Sequence, residues 1–240
     1  MSEEATAAHF PQTNWSLVQR TAEHEGLNDL CTLYWRPVYG FLRRRGHGPS
    51  DAEDLTQSFF ASMVKDETFK RVSSEKGRFR SFVLGALKRH VSSHRRHEGR
   101  QKRGGNYEHV PIATSEMDFQ DAEARYAAEP LDSHTAERVF ERRWVVELLE
   151  RASTRLRHDY EATGRGREYA LLQTALGTQK PGLNLANIGE ELGIKEASVR
   201  VLIHRLRRNF RAAFRDEIAR TVSDHEEVEQ EFQRLLSVFS

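Results

Sequence analysis

The chain has 240 residues with a net charge of +1 and 38% hydrophobic residues, enough for one large or two small domains. The mean hydropathy is −0.71, and no run of 18 apolar residues or signal-peptide core occurs, which excludes a hydrophobic membrane span. The single cysteine, Cys31, excludes an intramolecular disulfide framework and a CxxC metal site. We therefore expect a cytoplasmic protein without a cofactor or bound metal.

Charge is segregated along the chain although the totals nearly cancel. Residues 88–103 hold seven Lys or Arg, three His and one acid, whereas residues 216–231 hold seven acids and one Arg. Such clustering is more informative about nucleic-acid contact than the net charge. The histidines of the basic stretch lack neighbouring Cys or carboxylate ligands, which favours nucleic-acid proximity over metal binding.

Two helices are predicted in the first quarter of the chain. The first covers residues 27–45 and ends at the turn Gly46-His47-Gly48-Pro49. The second begins with Ser50-Asp51-Ala52-Glu53, which matches a capping box in which Ser50 caps the helix and Glu53 reaches back. Acids in a first turn are favoured by the helix dipole, so this acidic start has a purely structural explanation.

A third helix, over residues 78–96, carries an apolar stripe and a strongly basic second half. Cations are favoured near a helix C-terminus, but that effect explains two or three charges and not seven. Phosphate binding is the functional interpretation. Periodicity then fails over residues 99–136, which predicts a linker with a short helix near residues 118–128.

The second half of the chain contains an amphipathic helix over residues 137–160, a short helix over 167–176, and two helices around a turn over 185–211. Gly189 fits a close helix approach, and Gly193 fits a turn that needs positive φ. In the second helix of this pair, one face is apolar and the other is arginine-rich. A solvated surface helix explains this pattern, but a helix-turn-helix that presents a recognition helix to DNA is favoured.

The tail after Phe214 is acidic and predicted to be helical from residue 226. Its apolar face requires a partner. Two alternatives are a cap on the second domain, which we favour, and a clasp over the basic domain.

These observations predict an all-α fold with two small helical domains, a linker and a helical extension. The boundaries are 14–98 for the first domain, 99–136 for the linker, 137–215 for the second domain and 216–240 for the extension. The layout resembles the extracytoplasmic-function (ECF) RNA polymerase sigma factors, in a variant common in planctomycetes and related bacteria. The matching stretches are YWRPVYGFLRRRGHGPSDAEDLTQSFF, KGRFRSFVLGALKRHVSSHRRHEGRQKRGG, ERRWVVELLERA and IGEELGIKEASVRVLIHRLRRNFR.

The resemblance implies three sets of functional residues. The first would dock on the β′ clamp helices of core RNA polymerase: Asp51, Glu53, Asp54, Gln57 and Phe60. The second would hold the melted minus-ten element by stacking and by charge: Phe79, Phe82, Lys88, Arg89, Arg95 and Arg96. The third would read the minus-thirty-five duplex: Lys195, Ser198, Arg200, Val201, His204, Arg205 and Arg208.

The implied function is promoter-specific transcription initiation, with promoter DNA and core polymerase as partners and an anti-sigma factor or Ser/Thr kinase as further candidates. Thr56, placed beside Asp54 and Gln57 on an exposed face, is a candidate phosphosite. The alternative is a stand-alone helix-turn-helix regulator that acts without polymerase. An enzyme acting on nucleic acid is less favoured, because no catalytic triad, phosphate-binding loop or catalytic carboxylate pair occurs in the sequence.

Overall fold

The computed structural model describes residues 24–65, 79–98, 116–128, 135–177, 184–222 and 226–237. Within these ranges the regular structure is entirely helical, which confirms the predicted all-α class. The described residues form nine α-helices: α1 (His24–Arg44), α2 (Pro49–Lys65), α3 (Phe79–Glu98), α4 (Glu116–Ala127), α5 (Ala136–Ala162), α6 (Gly166–Leu172), α7 (Leu185–Leu192), α8 (Glu196–Ala219) and α9 (Glu226–Ser237). A 3₁₀ turn, Gln173–Leu176, follows α6. None of the helices in the described ranges is long and apolar enough to cross a bilayer.

Helix α2 begins earlier than the capping-box motif predicts. Its first residue is Pro49, and the amide of Ala52 donates to the carbonyl oxygen of Gly48 at 2.9 Å. Proline suits a first helical position because it needs no amide partner there and its φ is already helical. Ser50 therefore lies inside the helix and is exposed, so its assignment as the cap is wrong.

Helices α1, α2 and α3 pack around aromatic side chains. Trp35 of α1 stacks on Phe60 of α2 with ring centroids 6.1 Å apart. Tyr34 meets the edge of Phe79 at the start of α3 at 5.5 Å. Ring pairs of this kind add roughly 0.5–1.5 kcal/mol each to their burial.

The predicted linker contains the expected helix, and this helix is docked rather than free. Phe119 of α4 meets Trp35 of α1 at 4.5 Å, edge to face. Glu123 accepts hydrogen bonds from Arg43 at 2.8 Å and from the Tyr39 hydroxyl at 2.6 Å, and the Arg43 bond lowers the pKa of its carboxyl. Apolar and charged contacts together thus fix α4 on α1.

Helix α5 is shared by two hydrophobic clusters. Phe140, Trp144 and Leu148 pack with α1 in the larger cluster. Leu156 and Tyr160 pack with α6, α7 and α8 in the smaller one. The two predicted domains are therefore in contact in this structure, and α5 joins them.

Helix α9 does more than cap the second domain. Its Phe232 packs on Phe214 of α8 with centroids 5.7 Å apart. Its Arg234 pairs with Glu141 of α5 at 3.1 Å, and its buried Glu231 pairs with Arg80 of α3. The extension thus contacts α8, α5 and α3 and leaves the arginine-rich face of α8 uncovered.

Candidate functional site

Helices α7 and α8 are joined by a three-residue turn whose geometry follows from its residues. The side chain of Asn184 accepts from the amide of Asn187 and caps α7. Gly193 ends α7 with φ 67°, a left-handed conformation that a side chain disfavours. A β-carbon on Gly189 would lie 2.7 Å from the Ile194 carbonyl oxygen, so a glycine there lets the turn fold back against α7.

Helix α8 has a buried face that holds it against the smaller cluster. Val199 and Leu206 have no exposed surface, and Leu202 and Ile203 pack partly buried beside them. This is the apolar face expected from the three- and four-residue spacing. On the remaining surface, the predicted minus-thirty-five residues are all exposed: Lys195, Ser198, Arg200, Val201, His204, Arg205 and Arg208.

Two arginines of α8 are held differently. Arg200 pairs with Glu196 at 2.6 Å, but both side chains are largely exposed, so the pair contributes little and can be exchanged for another anion. Arg207 instead donates from Nε to the Ala175 carbonyl oxygen at 2.9 Å and anchors α8 to the 3₁₀ turn. Val201, next to Arg200, is 56% exposed and adds an apolar side chain to the otherwise cationic face.

The acidic start of α2 forms a second exposed surface. Asp51 and Asp54 are exposed, while Glu53 and Gln57 are half-buried. Positions 51, 54 and 57 are three residues apart and share one side of the helix. Phe60 does not belong to this surface, because it is 2% exposed and packs on Trp35. The prediction that Phe60 belongs to the docking face is therefore wrong: its ring packs α2 against the core.

The prediction that Thr56 lies on an exposed helical face is wrong. Its side chain has no exposed surface, and its hydroxyl donates to the Ala52 carbonyl oxygen at 2.6 Å. Thr56 is part of the buried stripe of α2, which also holds Ala52, Leu55, Phe59, Phe60 and Met63. The i, i+3, i+4 spacing of these residues was the signal available in the sequence.

The aromatic side chains at the start of α3 are not exposed enough to stack on a base. Phe79 is 4% exposed and lies against Tyr34. Phe82 is half-buried and packs 6.0 Å from Phe79. A base cannot reach the face of Phe79 in this conformation. The expectation that Phe79 is accessible for stacking on a base is therefore wrong for this structure.

The basic residues further along α3 are placed differently. Lys88 and Arg89 are exposed, and Lys88 pairs with Glu137 at the start of α5 at 2.8 Å. Helix α3 continues to Glu98, but the side chains of Arg95 and Arg96 lie outside the described residues.

His90 is a polar contact between α2 and α3 whose partners the sequence did not reveal. Its ring nitrogens lie 3.0 Å from the Ser58 hydroxyl and 3.4 Å from the Ser62 hydroxyl. Burial, with a smaller effect of the nearby His94, lowers the pKa of His90 to about 4. The ring is therefore neutral at pH 7 and fixes the relative position of the two helices.

No group of three or more metal-ligating side chains comes together among the residues that the structure describes. The arrangement consists instead of one exposed cationic helix face and one exposed acidic helix face. Such faces can bind phosphate and a basic protein surface, respectively.

Comparison with known proteins identifies one part of the chain. No curated protein and no solved structure matches the chain significantly. Residues 30–101, which include most of α1 and all of α2 and α3, match the family model described as Sigma-70 region 2. The chain therefore contains a Sigma-70 region 2 domain.

Proposed function

We propose that this chain is an RNA polymerase sigma factor of the extracytoplasmic-function group, which binds core polymerase and directs promoter-specific initiation. The observation that carries the proposal is one combination: a Sigma-70 region 2 domain and, on the same chain, the helix pair α7 and α8, of which α8 has an exposed arginine-rich face. The first feature supports polymerase and minus-ten binding. The second supports reading of a separate duplex element.

Core polymerase would dock on the acidic face of α2, through Asp51, Glu53, Asp54 and Gln57. The β′ clamp helices are the partner that the resemblance implies. Exposed carboxylates attract a basic surface and accelerate encounter, and they fix orientation more than they add affinity. Two of the four, Asp51 and Asp54, are exposed.

The minus-thirty-five duplex would be read by α8 from the major groove. Arg200, Val201, His204, Arg205 and Arg208 recur at intervals of one, three and four residues and thus share one face. Arginine can bind guanine bidentately, and an apolar side chain such as Val201 can contact the methyl group of thymine. The remaining charges would bind phosphate.

Melted minus-ten DNA would lie along α3. Lys88 and Arg89 are exposed, and the basic second half of that helix can follow a phosphate backbone. Phe82 is half-buried and therefore more exposed than Phe79. Phe79 would have to move before it could stack on a base.

The deciding experiment is reconstitution with purified core RNA polymerase. We expect the chain to co-elute with core enzyme in gel filtration and to support transcription from a fraction of a genomic promoter library. Asp51→Asn combined with Asp54→Asn should weaken co-elution, whereas Glu190→Gln, which changes an exposed acid on α7, should not. Failure of the wild-type chain to bind core enzyme would refute the proposal.

The alternative is a stand-alone helix-turn-helix regulator, which the exposed face of α8 alone would also permit. It requires DNA binding without polymerase, usually as a dimer on a palindromic site. The apolar face of α9, the surface available for a dimer, is occupied within the chain: Val228, Phe232 and Leu235 are buried. A monomer that binds DNA specifically but ignores core polymerase would favour this alternative.

A further inference from the structure

The turn between α5 and α6 holds an arginine that belongs to none of the predicted sites. Helix α5 ends in a tight turn in which Gly164 has φ 71° and the amide of Arg165 donates to the Tyr160 carbonyl oxygen at 2.8 Å. The Arg165 guanidinium lies over the Tyr160 ring, 4.6 Å from its centre, and its Nε donates to the Thr163 hydroxyl at 3.2 Å. Both the backbone and the side chain of Arg165 are therefore fixed, although the residue is exposed.

Arg165 differs from neighbouring exposed arginines in its lack of an acidic partner. Arg157 lies 3.8 Å from Glu161. Arg167 lies 3.9 Å from Glu191. Within the described part of the chain, no acidic side chain forms an ion pair with Arg165. The terminal N–H groups of its guanidinium are thus left to bind an anion from outside the chain.

Tyr160 places Arg165 beside α8. Its ring packs in the smaller hydrophobic cluster together with Leu206 of α8, which is the neighbour of Arg205. Burial raises the pKa of the Tyr160 hydroxyl, and the charge of Glu168 adds to this rise. The charges of Arg165 and Arg205 act on the same hydroxyl and lower this pKa instead. The positive surface of α8 therefore continues onto the turn between α5 and α6.

This continuation lies on one flank of α8. Successive residues of a helix are about 100° apart around its axis, so Arg205 and Arg207 stand on opposite sides of the buried Leu206. Arg207 is anchored to the Ala175 carbonyl oxygen of the 3₁₀ turn. The turn between α5 and α6 adjoins the other flank, next to Arg205.

Arg205 also marks the place where α8 would leave the major groove in the proposed function. A recognition helix contacts base edges with its N-terminal residues. Arg205 lies about 14 Å along the axis from Glu196, the first residue of α8, whereas the groove is about 12 Å wide. A side chain beside Arg205 therefore meets the sugar-phosphate backbone at the edge of the groove and not a base.

We propose that Arg165 binds a backbone phosphate at the edge of the minus-thirty-five duplex, from outside the helix pair that reads the bases. This contact rests on the proposed function, because it requires α8 in the groove. Arginine suits the position, since its planar guanidinium can stack on Tyr160 and bind phosphate at the same time. A phosphate contact carries no sequence information, so Arg165 would fix the orientation of α8 on the duplex.

The test measures binding of the full chain to fluorescent duplexes by anisotropy over a range of salt concentrations. One duplex carries a minus-thirty-five element selected from the promoter library, and the other carries the same bases scrambled. Arg165→Gln removes the charge. Arg138→Gln is the matched control, because Arg138 is also exposed but lies near the start of α5, about 33 Å of helix away from Tyr160.

We expect Arg165→Gln to weaken binding of both duplexes about fivefold at low salt and to reduce the slope of log K against log salt by about 0.9, the value for one phosphate. Arg138→Gln should keep the wild-type affinity and slope. Arg165→Lys keeps the charge and should keep the slope, with part of the affinity lost. An unchanged slope in Arg165→Gln, or a loss confined to the selected duplex, would overturn the proposal.

Glu168→Gln gives a result that unfolding cannot mimic. Its carboxylate lies near the same hydroxyl and opposes a phosphate there, so its removal should tighten binding about twofold at low salt, with a gain that fades as salt screens the charges. If Arg165→Gln lowers the melting temperature and its slope cannot be interpreted, Glu168→Gln decides. Tighter binding then supports the contact, and unchanged or weaker binding overturns it.

Failure of this contact can be told apart from failure of the proposed function. Wild-type binding with an unchanged slope in Arg165→Gln refutes the phosphate contact and leaves the sigma-factor function intact. Absence of wild-type binding to both duplexes refutes duplex reading by α8 and this contact with it.

Discussion

The hydroxyl of Thr56 donates a 2.6 Å hydrogen bond to the carbonyl oxygen of Ala52, one turn earlier in α2. Both side chains have no exposed surface and face the aromatic core between α1 and α3. The acids that we assign to polymerase docking lie on the other side of the same helix. Thr56 therefore lies on the buried side of α2, opposite the proposed docking surface, and a kinase cannot reach it while α2 is folded.

Introducing a negative charge at Thr56 should unfold the region around α2. We expect Thr56→Glu to lose at least about 3 kcal/mol of the free energy of unfolding, because a carboxylate would be buried without a partner. Thr56→Val keeps the shape and removes a hydroxyl whose acceptor also belongs to the helix, so its cost should stay below about 1.5 kcal/mol. Urea denaturation of both variants measures the difference. Equal midpoints for Thr56→Glu and wild type would mean that the site is accessible after all.

The ion pair between Arg80 and Glu231 should couple α3 to α9 thermodynamically. Glu231→Leu leaves a buried guanidinium without its main anion and should cost about 3 kcal/mol, whereas Arg80→Met combined with Glu231→Leu should recover much of this loss. Chemical denaturation of the two single variants and the double variant gives the coupling energy. The exposed pair of Arg215 on α8 and Glu229 on α9, with both side chains more than a third exposed, is the control and should show a coupling below about 1 kcal/mol.

Local features of the fold were predictable because they depend on spacing within one helix. The apolar face of α8, the turn at Gly193 and the helix inside the linker follow from periodicity and from the conformational freedom of glycine. The predicted exposure of Thr56 is wrong because threonine is polar, although its position in the sequence falls on the buried stripe of α2. A polar side chain can satisfy its hydroxyl within its own helix and still be buried.

Contacts between distant parts of the chain could not be predicted in the same way. Arg80 and Glu231 are 151 residues apart, and nothing in the pattern near either residue names its partner. Gly40 in α1 carries no turn signal, and the close approach of Arg143 that it permits becomes visible only in the folded chain.

Substitutions on the exposed face of α8 should separate affinity from base discrimination. Arg205→Ala should weaken binding to a selected minus-thirty-five duplex by about 1–3 kcal/mol if it binds a base. Val201→Ala should cost less overall but reduce the preference for thymine over uracil at one position, because the two bases differ there by the methyl group and alanine makes a smaller apolar contact with it. Fluorescence anisotropy with thymine and deoxyuridine duplexes measures both effects.

Arg207→Lys is the matched control for these measurements, because Arg207 is anchored to the Ala175 carbonyl oxygen away from the proposed DNA face. It should lower the melting temperature and leave duplex binding within about twofold, since lysine keeps the charge but loses the Nε donor. Loss of binding in Arg207→Lys with full binding in Arg205→Ala would place the DNA on a different face of α8.

His90 should make the contact between α2 and α3 sensitive to acid. Its pKa is about 4 in the folded chain and near 6.5 when unfolded, because burial disfavours the charged ring. Between these values the unfolded state binds a proton that the folded state does not, so stability falls as the pH falls through this window. From pH 7 to 4.5 we expect His90 to account for a loss of about 2 kcal/mol in the free energy of unfolding.

His90→Gln, whose amide can still bind the Ser58 hydroxyl, should escape this loss. Urea denaturation at both pH values measures it, and identical pH dependence of wild type and variant would show that the ring titrates freely in the folded chain.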